Sequence, residues 1–278
     1  MVLNLNLLHE GEKYKEFPGR NIDQMPVLLA SGRVPISVKK LMERRLEVRG
    51  VDFGSQYQGT AHEASVETVL NAIWTNSVDT GDGVLYHPNR RIRVVTDADF
   101  LRKLTPQSKI QNGAVILDDD AWNNAKDAPT FTRDQVAKDR FGTVWLALAR
   151  DDKALLDEYR KAVTAELKTR HNYTGENMKV WLANAQKVTT GRLWYVDWSY
   201  GGSNANGDLN FDFNNGRFLG VAPEAQGVVG ARSASSNLSL EDAILVSIDK
   251  ALAAQDRPDP LTKEYFRPYI RNVLDRKQ

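Results

Sequence analysis

Residues 192–221, RLWYVDWSYGGSNANGDLNFDFNNGRFLGV, decide how the chain is read. Residues 192–200 are rich in aromatic and β-branched side chains. Residues 208–214 alternate polar and apolar, and Asn214-Asn215-Gly216 leads into 217–221 with the asparagine–glycine signature of a tight hairpin. Three neighbouring antiparallel strands are expected here. They follow a long helical stretch, so strand and helix do not alternate as they would in a doubly wound parallel sheet.

Working outward, 84–86 and 91–95 are short β-prone runs separated by His87-Pro88-Asn89, a hairpin turn, and a buried strand is expected at 114–117. The middle of the chain is helical. Residues 97–104 make one or two turns, 118–129 form a loop with a helical turn, and 133–140 and 143–150 are short helices. The longest helix starts near Asp151, where Leu155, Leu156, Tyr159, Val163 and Leu167 form one stripe. Further helices are expected at 36–48, at 61–76 behind a Thr60/Glu63 capping box, and at the C-terminus after Ser239 and again at 261–274. The reading is α+β: antiparallel β-rich segments at about 84–117 and 192–221, a helical middle segment and C-terminal helices. No repeat and no low-complexity linker divides the 278 residues. One compact unit is expected, with a soft boundary near 125–132 and residues 1–35, broken by Pro18, Gly19, Pro26, Gly32 and Pro35, as an extended N-terminal arm.

Composition excludes several function classes. Thirty-seven Lys plus Arg against 36 Asp plus Glu give a net charge of +1, which argues against a strongly basic nucleic-acid binder. Cysteine is absent, which removes disulfides, thiolate catalysis, iron–sulfur clusters and cysteine zinc sites. No apolar run approaches the ~18 residues needed to cross a bilayer, and the first residues do not read as a signal peptide. A soluble cytoplasmic protein is the expectation, and a virion or phage-encoded component would look the same. No phosphate-binding loop, dinucleotide fingerprint or haem motif occurs, so no cofactor is indicated.

The polar constellations each have a plain reading and a functional one. Asp79-Thr80-Gly81-Asp82-Gly83 reads as a flexible turn, and Asp79 and Asp82 ahead of His87 are the candidate catalytic groups of a metal-assisted hydrolase. His62-Glu63 begins the zinc-protease motif H-E-x-x-H, but Val66 stands where the second histidine belongs. Glu63 and Glu67 share a helical face without it, so no metal site is convincing. The series Asp208, Asn210, Asp212 spaces its acids like a calcium loop yet lacks the glycine and the closing glutamate. A half-buried strand with a polar outer face explains it, and that face could bind a ligand. Trp194 and Trp198 share one strand face, either as a binding platform or as sheet core, while Trp74, Trp145 and Trp181 read as core. Ser203 in Gly201-Gly202-Ser203 sits in a turn rather than in a hydrolase elbow.

Basic residues cluster at Lys39, Lys40, Arg44 and Arg45 and again at Arg90, Arg91 and Arg93. These are candidate phosphate contacts, with Tyr86 or Trp74 as a stacking surface, set against solvated faces. The leading reading is a binding or assembly protein with no catalytic motif, using the N-terminal arm and the 227–236 loop towards a protein partner or a second copy. A metal-assisted hydrolase and a nucleic-acid-binding protein are the alternatives.

Overall fold

A computed structural model describes residues 13–48, 76–138, 142–172, 177–197 and 202–222. These all lie within the unit Met1–Gly227. The helix expected at 61–76, with Thr60, His62, Glu63, Glu67 and Trp74, falls almost wholly outside the described residues. His9, Trp198, the 227–236 loop and the C-terminal helices lie outside them as well. No described helix is long and apolar enough to cross a membrane.

The fold is α+β, a large mixed sheet of mostly antiparallel strands with helices packed on it. Its strands are β1 (Tyr14–Pro18), β2 (Val34–Pro35), β3 (Val78–Tyr86), β4 (Arg91–Val95), β5 (Ile110–Gln111), β6 (Ala114–Ile116), β7 (Thr130–Thr132), β8 (Val180–Leu182), β9 (Thr190–Val196), β10 (Ala205–Gly207) and β11 (Arg217–Val221). The path through the sheet runs β1-β11-β3-β9-β10-β8, with β4 and β7 extending it from β3. Strand β7 therefore ties residues 130–132 to 91–93 across the segment where a soft boundary was expected.

Central strand β3 buries all nine of its residues. Residues 79–83 are thus not a flexible turn. They carry a bulge in the antiparallel pairing with β9, where the register shifts between Asp79 and Gly83. Two acids survive in a buried strand because their oxygens bind backbone N–H groups of other segments, as set out below. The hairpin at His87–Arg90 joins β3 to β4 as expected, with the Arg90 N–H donating to the His87 carbonyl at 3.0 Å.

Residues 13–35, the described part of the expected N-terminal arm, are built into the sheet and its packing. All five residues of β1 pair antiparallel with β11, and β2 pairs with β11 as well. Between them helix α1 (Asn21–Ala30) tolerates Pro26 in its interior and buries Ile22, Met25 and Leu28. These three join Phe17, Leu101, Leu104, Leu193, Phe211 and Phe218 in one of two apolar cores among the described residues. The prolines at 18 and 35 end short strands, positions where a missing N–H costs little.

The second β segment also departs from expectation. Residues 208–214 are not a strand; the strand lies earlier, at β10, antiparallel to β9 and parallel to β8. Asn214-Asn215-Gly216 makes no hairpin between neighbours, since β11 pairs antiparallel with β1 and β2 and parallel with β3. A side chain at Gly216 would meet the Asn21 amide oxygen at 2.2 Å and the Gly19 carbonyl at 2.4 Å, so this glycine serves a close approach.

The described helices after residue 36 fall close to where the sequence places them. Helix α2 (Val38–Val48) buries Val38, Leu41, Met42 and Val48. Short helices α3 (Asp99–Arg102), α4 (Asp119–Asn124), α5 (Arg133–Lys138) and α6 (Thr143–Leu148) fall where turns of helix were expected. Helix α7 (Lys153–His171) is capped by Asp152, whose carboxylate accepts the Leu155 N–H at 3.1 Å. It stops at Asn172 in the left-handed region. Its stripe of Leu156, Tyr159, Val163 and Leu167 is buried in the larger core with Trp145, Trp194, Val84 and Tyr86.

Candidate functional site

The catalytic candidates do not converge. Asp82 accepts the Val38 N–H at 2.7 Å and the Asp97 N–H at 2.9 Å; Asp79 accepts the Arg217 N–H at 2.6 Å. Burial pushes both carboxyls up to about 6 against the pull of those N–H groups. His87 lies five residues further along, about 16 Å from Asp82 at ~3.3 Å per strand residue, with its ring against Trp122 at 4.8 Å between centroids. Among the described residues no three His, Asp or Glu side chains gather as metal ligands. The two acids organise backbone instead.

The Asp208, Asn210, Asp212 series has a built-in cation. Arg192, buried in β9, donates through Nη1 to the carbonyls of Asp208 and Leu209 at 2.9 and 2.6 Å and to the Asn210 side-chain oxygen at 2.9 Å. Its Nη2 donates to the Asn112 carbonyl. A guanidinium thus gathers the oxygens that a ladder or a bound ion would otherwise take. Phe211 turns into the core while Phe213 is half exposed.

The first basic cluster is spent inside the protein. Lys39 pairs with Asp152 at 3.0 Å and Lys40 with Glu43 at 3.4 Å. Arg44 is buried over the Tyr14 ring and pairs with Glu47 at 2.9 Å. Arg45 is buried and joins four segments: Nη1 donates to Tyr159 and Ser203, and Nη2 to the carbonyls of Asn76 and Asp197. A solvated face is therefore wrong for Arg44 and Arg45, and Tyr86, donating to the Gly207 carbonyl at 2.8 Å, is buried as well. Of the second cluster, Arg93 stacks on Trp122 at 4.2 Å from its ring centre, and Arg90 and Arg91 remain exposed. Trp194 is fully buried, which makes it sheet core, and Trp145 is core as expected.

Trp181 is not the core residue that the sequence suggested. It sits on strand β8 and is 51% exposed. It lines a cleft of about 350 Å³ together with Arg90, Arg133, Asp134, Lys179 and the apolar Val136, Val180 and Leu182. One wall is β8, held by its pairing with β10, by the Lys179 N–H donating to the Asn204 side-chain oxygen at 2.8 Å and by the Ala183 N–H donating to the Tyr86 hydroxyl at 3.2 Å. The other wall is α5, fixed by a reciprocal capping box: the Gln135 N–H donates to the Thr132 hydroxyl and the Thr132 N–H to the Gln135 side-chain oxygen at 2.7 Å.

The cleft's electrostatics are lopsided. Three cationic residues line it against one acid. Arg90 reaches Asp134 only at 3.9 Å, with both side chains mostly exposed. The Nη1 of Arg133 is buried with no hydrogen-bond partner among the described residues. A buried donor without an acceptor costs about 1–3 kcal/mol. A cationic donor beside an exposed indole can hold an anionic group next to a flat apolar face.

The class of protein defined so far is an α+β fold presenting a cationic, aromatic cleft. No family model matches the chain, and no curated protein matches it. Among solved structures the chain is similar to one described under the accommodation of massive sequence variation in Nanoarchaeota by the C-type lectin fold. That likeness has 14% identity and a TM-score of 0.48, covering 75% of this chain and 97% of the other.

Proposed function

We propose that the chain is a binding protein whose ligand occupies the cleft between β8 and α5 and presents an anionic group beside an apolar face. The observation that carries this reading is one cleft lined both by the half-exposed Trp181 and by Arg133, whose Nη1 is buried without a hydrogen-bond partner among the described residues. Tryptophan and arginine are among the side chains that most often dominate binding energy. Arg44, Arg45, Asp79 and Asp82, which first invited other activities, bind groups within the fold.

A titration of 1-naphthoate, with neutral 1-naphthamide as control, tests it through Trp181 fluorescence and calorimetry. Naphthoate is expected to bind in preference to the amide, and Trp181→Ala or Arg133→Gln to weaken it about tenfold, the loss of one charge-assisted hydrogen bond or one stacked ring. Equal binding of acid and amide, or undiminished binding by both folded variants, overturns the reading.

A further inference from the structure

The cleft's strand wall has a feature beyond its charge. Strand β8 ends the path through the sheet, and among the described residues its one pairing is the parallel one with β10, in which Ala205 lies opposite Val180. The Ala205 N–H donates to the Lys179 carbonyl at 2.8 Å. In a parallel ladder successive residues direct their N–H and C=O groups to alternate sides. Residues 179 and 181 therefore serve β10, and Val180 and Leu182 turn theirs to the free edge. That edge borders the cleft, which Val180, Trp181 and Leu182 all line.

Resting on the reading proposed above, we infer that the ligand is an extended acidic peptide segment of a partner protein, added as a further strand on the free edge of β8. Val180 and Leu182 offer two donors and two acceptors, enough for two paired residues of an incoming strand. Charge complementarity selects the partner. Acidic side chains flanking the added strand meet Arg133, whose Nη1 lacks an acceptor, and Arg90, which its distant partner Asp134 holds loosely. Alternate side chains of such a peptide would fall on the exposed Trp181 ring. An edge this short is protected from promiscuous pairing by its length and by the charges beside it, so main-chain bonds alone would not hold a neutral strand.

The experiment uses the full chain and a fluorescein-labelled heptapeptide alternating glutamate and phenylalanine. Three controls accompany it: the same peptide N-methylated at alternate residues, a version with lysine for glutamate, and a single-stranded oligothymidylate. The parent peptide is expected to bind, with at least about tenfold weakening by N-methylation, by lysine replacement and by Arg133→Gln. Val180→Pro, which deletes one edge donor at a position where proline is tolerated, should weaken the peptide by a larger factor than it weakens naphthoate.

Hydrogen exchange should show the Val180 and Leu182 amides fast in the free protein and slowed by the peptide. Binding indifferent to N-methylation and to Val180→Pro overturns strand addition while the cleft reading stands. Naphthoate binding without peptide binding also overturns strand addition and leaves the cleft reading in place. Tighter binding of the oligonucleotide than of the peptide overturns the inference in favour of nucleic acid. Slow exchange at Val180 in the free protein overturns it too, because the edge is then already paired by this chain or a second copy.

Discussion

The carboxylate of Asp82, in the central strand, caps helix α2 from 44 residues away by accepting the Val38 N–H at 2.7 Å. Its second oxygen takes the Asp97 N–H at 2.9 Å. Neighbouring backbone completes the joint: the Gly81 N–H donates to the Ile36 carbonyl at 2.7 Å, and its own carbonyl accepts from Ala98 at 2.8 Å. Asp82→Ala orphans two buried N–H groups and is expected to lower stability by about 2–4 kcal/mol, partly offset by losing a buried charge. Urea denaturation followed by far-UV circular dichroism reads this, and a loss below about 0.5 kcal/mol would show that the joint does not depend on Asp82.

Asp79 and Asp82 also set a pH dependence. Both carboxyls are pushed up to about 6 from 3.8 by burial, so between those values the folded protein binds more protons than the unfolded chain. Stability from these two groups is fully present below pH 4 and is lost as pH rises through 6. Each should account for about 1–3 kcal/mol over that window. The denaturation midpoint should rise on going from pH 7 to pH 5, and Asp79→Asn should flatten the profile. A midpoint that falls over this range in the wild type contradicts the assignment.

Phe100 lies across two glycines of the sheet. A Cβ at Gly83 would meet its ring at 2.6 Å and one at Gly191 at 2.5 Å. Either Gly→Ala change should cost about 1–3 kcal/mol through overpacking. Combining Gly191→Ala with Phe100→Leu should recover part of that loss, a coupling measurable in a double-mutant cycle.

Arg45 joins α2 to α7, to the end of β9 and to the turn at Ser203 through hydrogen bonds of 2.7–3.2 Å. Arg45→Lys cannot reproduce a fork that serves two hydroxyls and two carbonyls, and is expected to cost about 2–4 kcal/mol despite keeping the charge. A thermal melt shows whether it does, and an unchanged Tm would mean that the four segments are held by packing alone.

How much was legible depended on where polarity was spent. Helix α7 could be read because Asp152, its apolar stripe and its end at Asn172 obey local rules. Residues 79–83 could not, since their acids serve backbone groups 44 and 138 residues away, which no local pattern reveals. Residues 208–214 alternate like a strand, yet Arg192 claims the carbonyls that a ladder would need. At the cleft, Arg90 stood out as a charge, but Arg133 and Trp181 did not. Their meaning comes from the packing of α5 against an edge strand, which no local pattern reveals.

The pairing of β1 with β11 joins residues 14–18 to residues 217–221. A chain emerging from the ribosome carries β1 and its proline-bearing helix for some two hundred residues before their partner strand exists. Closing so long a loop is slow, and the apolar faces of Phe17, Ile22 and Met25 wait uncovered meanwhile. The pairing that covers the β1 edge therefore comes late in synthesis, and these apolar faces are exposed to aggregation while the chain is still being made.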